Sequence, residues 1–187
     1  MTKTRYGLAL GAALMLATLP TIGFAQTVES TPPGDASPMF VVDTPHFLAQ
    51  VQSANQFEIQ SSELALEKDQ DEDIAELAQM IIADHTAAGE KLEQRLAEAG
   101  IENTDASAEL APKHAKMLSQ LEAADASDFR MLYLDMQNQA HMEAIALFRT
   151  YAGSGDNQVL VGFARETLPA LETHAAHVKA LVMADAE

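Results

Sequence analysis

The chain has 187 residues, 28 Asp+Glu against 11 Lys+Arg, a formal net charge of −17, and neither cysteine nor tryptophan. Such an acidic balance opposes binding to nucleic acid or anionic lipid, and without cysteine there are no disulfides, cysteine-ligated iron–sulfur clusters, thiol nucleophiles or lipid-anchoring thiols. Alanine, leucine and glutamate dominate and aromatics are 5%, a composition that favours helices.

The first stretch, MTKTRYGLALGAALMLATLPTIGFAQ, carries Lys3 and Arg5 ahead of an apolar run over 8–19. That run is shorter than the ~20 residues a membrane-spanning helix needs. Gly23-Phe24-Ala25 places small residues at −3 and −1 of a cleavage site, so residues 1–25 read as a signal peptide cut after Ala25. Cleavage would remove two basic residues and no acidic one. The expected location is the periplasm, with no membrane span after cleavage.

Residues 26–42 (QTVESTPPGDASPMFVV) are rich in Pro, Ser, Thr and Gly and read as a disordered leader. A single helical domain is expected over 43–187. Asp43 or Thr44 caps a first helix over about 44–68, with Pro45 suited to its first turn. A second runs over about 71–99 and is closed by Gly100. The less regular stretch 101–126 holds a short helix near 113–122. A fourth helix covers 128–152, capped by Ser127 or Asp128 and broken by Gly153-Ser154-Gly155. A fifth covers 157–183, capped by Asp156 or Asn157. The acidic run EKDQDEDIAE around the first turn lacks the glycine and oxygen spacing of a calcium loop and reads as a solvated helix start. The four long amphipathic segments predict an all-α, up-down four-helix bundle with one long connection between its halves.

On a helical wheel, each long helix turns one ionisable residue towards its apolar stripe. Glu58 shares its direction with Phe47, Val51, Ala54 and Ala65. His85 shares that of Ile74, Ala78, Ile81, Leu92 and Leu96, with Asp84 a step to one side. His141 lies with Leu134, Ile145 and Phe148, and His174 with Leu160, Phe163, Ala170, Val178 and Leu181. Burying such groups singly is costly, so one shared cluster is expected. At about 1.5 Å per residue, Glu58, His85 and His141 reach one layer, while His174 falls about 9 Å away, with Thr167 nearer.

Two readings of the cluster stand. The preferred one is a hydrogen-bonded polar core that sets helix register in a non-catalytic binding or structural protein. The alternative is a mononuclear metal site for metal handling or redox defence, with Glu58, His85, His141 and His174 as ligands to one Zn, Fe or Cu ion. The pair His174/His177 reads as partly exposed, His46 and His114 as solvated, and Tyr133 as a core tyrosine with a satisfied hydroxyl. There is no nucleophile motif or phosphate loop. The sequence names no partner and leaves self-association open.

The blocks FLAQVQSANQFEIQSSELAL, LAQMIIADHTAAGEKL, FRMLYLDMQNQAHMEAIALF and FARETLPALETHAAHVKAL resemble the domain-of-unknown-function 4142 family over about 44–183. The family pattern falls on Glu58, Asp84, His85, Tyr133, His141, Leu168, Pro169 and His174. The resemblance implies an exported bacterial protein with a ferritin-like bundle and supplies no activity. Ferritin-like di-iron proteins use Glu-x-x-His on two helices. Here Ile82, Asn138 and Leu171 stand three residues before the histidines, which disfavours di-iron chemistry.

Overall fold

The computed structural model describes residues 42–69, 71–102 and 109–185. The expected signal peptide, and the leader apart from Val42, lie outside these residues. The described residues form five α-helices and no strand: α1 (Thr44–Lys68), α2 (Glu72–Glu98), α3 (Pro112–Ala123), α4 (Ala126–Ser154) and α5 (Gln158–Ala184). None of the helices is long and apolar enough to cross a membrane.

The helix ends follow from local chemistry. The Asp43 carboxylate accepts from the His46 amide at 2.9 Å and caps α1. Asn157 accepts from Val159 and Leu160 and caps α5. After α2, Gly100 adopts φ 67°. The Ile101 amide returns to the Leu96 carbonyl and the Gly100 amide to that of Ala97. This closing pattern places a left-handed residue where glycine carries no Cβ penalty. Two expectations are corrected. The N-cap of α4 is Asp125, so Ser127 and Asp128 already lie inside the helix. The helix also continues through Gly153 to Ser154, two residues beyond the expected stop. Gly155 then leaves the helix in an extended conformation, where a Cβ would lie 2.7 Å from Tyr151.

Helix α1 packs on α2 and α4, and α5 packs on α2 and α4, while α3 lies against α1 and α4. Polar contacts fix the directions. At one end, Thr44 at the start of α1 bonds Asp156 and the Tyr151 hydroxyl near the end of α4. At the other, Arg130 near the start of α4 bonds Asp73 at the start of α2 and Asp185 just past α5. The acidic start of α2 therefore holds an arginine. Helices α2 and α4 run the same way, so the connection between them must travel back along the molecule. Helix α3 forms part of that return, and Lys68 donates to the Leu121 and Ala124 carbonyls at its end.

The apolar interior is divided in two. One cluster gathers Phe57, Ile74, Leu77, Ile81, Phe129 and Tyr133, with Met136, Ala140 and Val178 among its members. The other gathers Phe47, Val51, Leu92, Leu96, Phe148, Phe163 and Leu171. Along α2, His85 falls between Ile81 and Leu92; along α5, His174 falls between Leu171 and Val178. Burying each large apolar side chain on either side contributes roughly 1.5–3 kcal/mol, so both halves are well provided with cohesion. The stripe of α5 is narrower than expected, because Ala170 is exposed.

A buried three-histidine cluster

His85, His141 and His174 are 7%, 0% and 2% exposed. Their ring centroids make a nearly equilateral triangle: 5.7 Å from His85 to His141, 5.5 Å from His85 to His174, and 5.4 Å from His141 to His174. One nitrogen from each lies within 4.8 Å of the other two. The expectation that His174 occupies a neighbouring layer is overturned. His141 stands thirteen residues before the end of α4 and His174 sixteen into α5. The extra helix at Gly153 and Ser154, with a one-residue-later start of α5, cuts the offset to about 4.5 Å, which side chains span.

Each histidine is held from outside the triangle by an oxygen. His85 Nδ1 lies 3.1 Å from Asn55 Oδ1. His141 Nδ1 lies 2.9 Å from the Gln137 carbonyl. His174 Nε2 lies 2.8 Å from the Asp84 carboxylate. All three oxygens are acceptors, so each of these nitrogens carries the proton and donates it. A neutral ring anchored in this way keeps a lone pair on its other nitrogen. Those nitrogens, His85 Nε2, His141 Nε2 and His174 Nδ1, are buried and have no hydrogen-bond partner in the protein.

Two of the rings, His85 and His141, are kept neutral. Burial pushes His85 down to about 3, reinforced by repulsion from His141 and His174. Burial also pushes His141 down to about 4, against the opposing pull of its bond to the Gln137 carbonyl. Glu58 is 2% exposed, and burial holds its carboxyl well above the usual range, with the Gln137 side chain partly offsetting that effect. The carboxyl Oε1 lies 3.4 Å from His141 Nδ1, the ring nitrogen that faces Gln137. Glu58 therefore stands behind His141 and is not in the convergent set, which holds the three histidines alone.

The remaining expectations divide. His46 is exposed and His177 half-buried. His114 was expected to be solvated, but it is 5% exposed. The docking of α3 on α1 buries it against Phe57, and its Nδ1 lies 2.7 Å from Ser53 Oγ. Tyr133 is buried and its hydroxyl meets Ser62 Oγ at 2.9 Å. Sequence reasoning missed the roles of Asn55 and Gln137, and left Asp84 to one side. The signal for Asp84 was its place in the family pattern. A residue one step off the buried stripe is well placed to reach a side chain on the next helix.

A cavity of about 290 Å³ adjoins the cluster, with His85 in its lining. It is bordered by residues of α1, α2, α4 and α5, and by His114 of α3.

Residues 29–181 match the profile of the domain of unknown function DUF4142. The match spans most of the chain, which belongs to that family. Searches of curated proteins and of solved structures returned no match.

Proposed function

We propose that this DUF4142 member is an exported, periplasmic protein whose three histidines bind one transition-metal ion inside a ferritin-like four-helix bundle. The observation that carries the metal reading is that three buried rings bring one nitrogen each within 4.8 Å of the others, and that each ring has one nitrogen anchored and one without a partner. Metal-bound histidine characteristically donates its second ring N–H to a carboxylate, carbonyl or similar group. Here Asp84, Gln137 and Asn55 supply those acceptors. A metal at about 2.1 Å from each nitrogen would need them about 3.4 Å apart in a tetrahedral arrangement, a modest contraction from the present spacing.

A three-imidazole set without thiolate suits Zn, Fe or Cu. Three protein ligands leave a further coordination position for water or a small molecule. Glu58 is then a group that steadies His141 rather than a ligand, and the single buried carboxylate gives little basis for two irons. A purely structural polar core is the competing reading. It would need the imidazoles to satisfy one another, and the three partnerless nitrogens speak against it. The ferritin-like assignment draws support from two antiparallel helix pairs joined by one long return. Export draws support from the basic, apolar and small-residue succession that ends at Ala25, and the leader 26–42 and domain 43–187 follow from it.

The test is elemental analysis of untagged protein isolated from the periplasm, followed by thermal melting with and without metal. About one equivalent of Zn, Fe or Cu is expected, with a rise in Tm that His141→Ala abolishes. Protein that contains no metal and gains no stability from Zn(II), Cu(II) or anaerobic Fe(II) would refute the reading. N-terminal sequencing of the same material tests export, and a first residue of Gln26 is expected.

A further inference from the structure

The cavity beside the cluster has an apolar interior and an acidic margin. Val51, Leu92, Leu96, Phe148, Phe163 and Leu171 wall it, and all six are buried. Space remains because Ala88 of α2 and Ala140 and Ala144 of α4 stand where larger side chains would fill it. Its volume of about 290 Å³ exceeds the ~150 Å³ at which an apolar protein cavity already accepts benzene. The exposed members of its lining, His46, Glu93 and Glu143, mark where it meets solvent. No lysine or arginine lines it, in a chain whose net charge is −17. The Glu143 carboxylate is engaged by Lys113 and Gln139. That of Glu93 has no ion-pair or hydrogen-bond partner among the described residues. Gln50 and Gln56 of α1 also border the cavity, and their amide oxygens can accept from an N–H donor.

We infer that this cavity binds a small organic cation, an apolar body of about six carbons or more that ends in one ammonium group held by Glu93. The body leaves water to lie against Leu92, Phe148 and Phe163, which is where the affinity arises. The ammonium stays at the margin, where the unpaired Glu93 carboxylate attracts it without either charge being stripped of solvent. A carboxylate-ended molecule of the same shape would meet Glu93 and no lysine or arginine of the lining, so it binds less well. The inference goes beyond the metal reading and does not depend on it. Of the three clustered histidines only His85 borders the cavity, and its Nε2 is shut off from solvent. The walls and the margin therefore hold the ligand, and the histidine nitrogens take no part.

The test is calorimetric titration of the full mature protein at low salt, with a chelator present so that metal plays no part. The probes are hexylammonium, butylammonium, hexan-1-ol and hexanoate. Hexylammonium is expected to bind most tightly, about tenfold more tightly than butylammonium, as burial of two further methylenes requires. Hexan-1-ol is expected to follow it and hexanoate to be weakest. Glu93→Gln is expected to lower the affinity for hexylammonium about two- to fivefold, the size of an exposed ion pair, and to leave that for hexan-1-ol unchanged. Ala144→Phe, which fills the cavity from α4, is expected to abolish binding of all four probes; Ala88→Leu fills it from α2 and serves in its place where Ala144→Phe does not fold. Absence of hexylammonium binding, equal affinity for the two ammonium ions, or binding that survives in the filled variant would show that the cavity is not the site and overturn the inference. Hexan-1-ol or hexanoate binding as tightly as hexylammonium, or a preference for the cation that Glu93→Gln leaves intact, overturns the assignment of a cation held by Glu93. None of these outcomes bears on the metal reading, which elemental analysis decides separately.

Discussion

Two polar groupings lie next to each other inside the same helices, and they are finished differently. In the first, Ser62 meets the Tyr133 hydroxyl and Ser61 accepts from the Gln137 amide at 2.9 Å. All four residues are buried; the hydroxyls and the amide nitrogen have partners, and Gln137 Oε1 alone of their side-chain polar atoms has none. In the second, one to two helical turns away along α4, His85, His141 and His174 are as deeply buried but leave three nitrogens without one. Gln137 joins the two, since its side chain serves Ser61 and its backbone carbonyl anchors His141. The helices that pair hydroxyls in one layer thus hold lone pairs apart in the next. Ordinary polar packing accounts for the hydroxyl pairs of the first layer. In the second, the proposed function has a cation draw on those lone pairs.

The comparison breaks most visibly in the response to metal. His85→Leu removes a costly partnerless group, so the metal-free variant is expected to fold and to be as stable as the parent or more so. With metal at a hundred times its Kd, the parent gains about 2.7 kcal/mol, and the variant gains none. Melting curves on both proteins, with and without the ion, measure the difference. A large loss of stability in the metal-free variant would place His85 with the paired layer instead.

Asp84→Ala sharpens the same point from outside the core. Asp84 is half exposed, so its loss should leave the fold intact. His174 would lose the acceptor that fixes its tautomer, and metal affinity is expected to fall ten- to a hundredfold. Competition with a chelator of known affinity reads this directly. In the paired layer, Ser62→Ala strands the Tyr133 hydroxyl and is expected to cost about 1–2 kcal/mol in denaturant unfolding, whether or not metal is present. A metal-dependent cost there would mean that the two layers act as one unit.

Much of this arrangement was legible in the sequence, and the failures have physical causes. Helix ends carry local signals, so Asp43, Gly100 and Asn157 could be read without knowing what packs where. The inward direction of Glu58, His85, His141 and His174 follows from the helical period alone. What periodicity lacks is the level of one helix against another and the reach of a side chain across a groove. The level of His174 was misjudged because Gly153 and Ser154 remain helical. Asn55, Gln137 and Asp84 act on histidines through contacts whose meaning depends on helix placement, and Glu58 was set among the ligands because a wheel shows direction and not order. His114 was misread for the same reason: the sequence of α3 does not show which helix covers it.

The smallest expected effect lies at the end of the molecule, where the chain uses charge in the usual way. Arg130 donates to Asp73 and Asp185 and lies 3.4 Å from Asp71. Its guanidinium holds the carboxyls of Asp73 and Asp185 below their usual range. A carboxylate whose folded pKa is depressed stabilises the fold above its unfolded pKa of about 3.8, and that contribution is lost as pH falls through the folded value. Because the groups are largely solvated, the whole clamp is expected to contribute under about 1 kcal/mol. Arg130→Met should therefore lower Tm slightly at pH 6. The gap from the parent should narrow as pH drops below about 4, where protonation removes the carboxylates in both proteins. Metal binding by the histidine layer should be unaffected at pH 6, since no residue of the clamp is among its anchors. If Arg130→Met weakened metal binding, the ends of the helices would be setting the spacing of the histidines. The triangle would then be held by the whole bundle and not by Asn55, Gln137 and Asp84 alone.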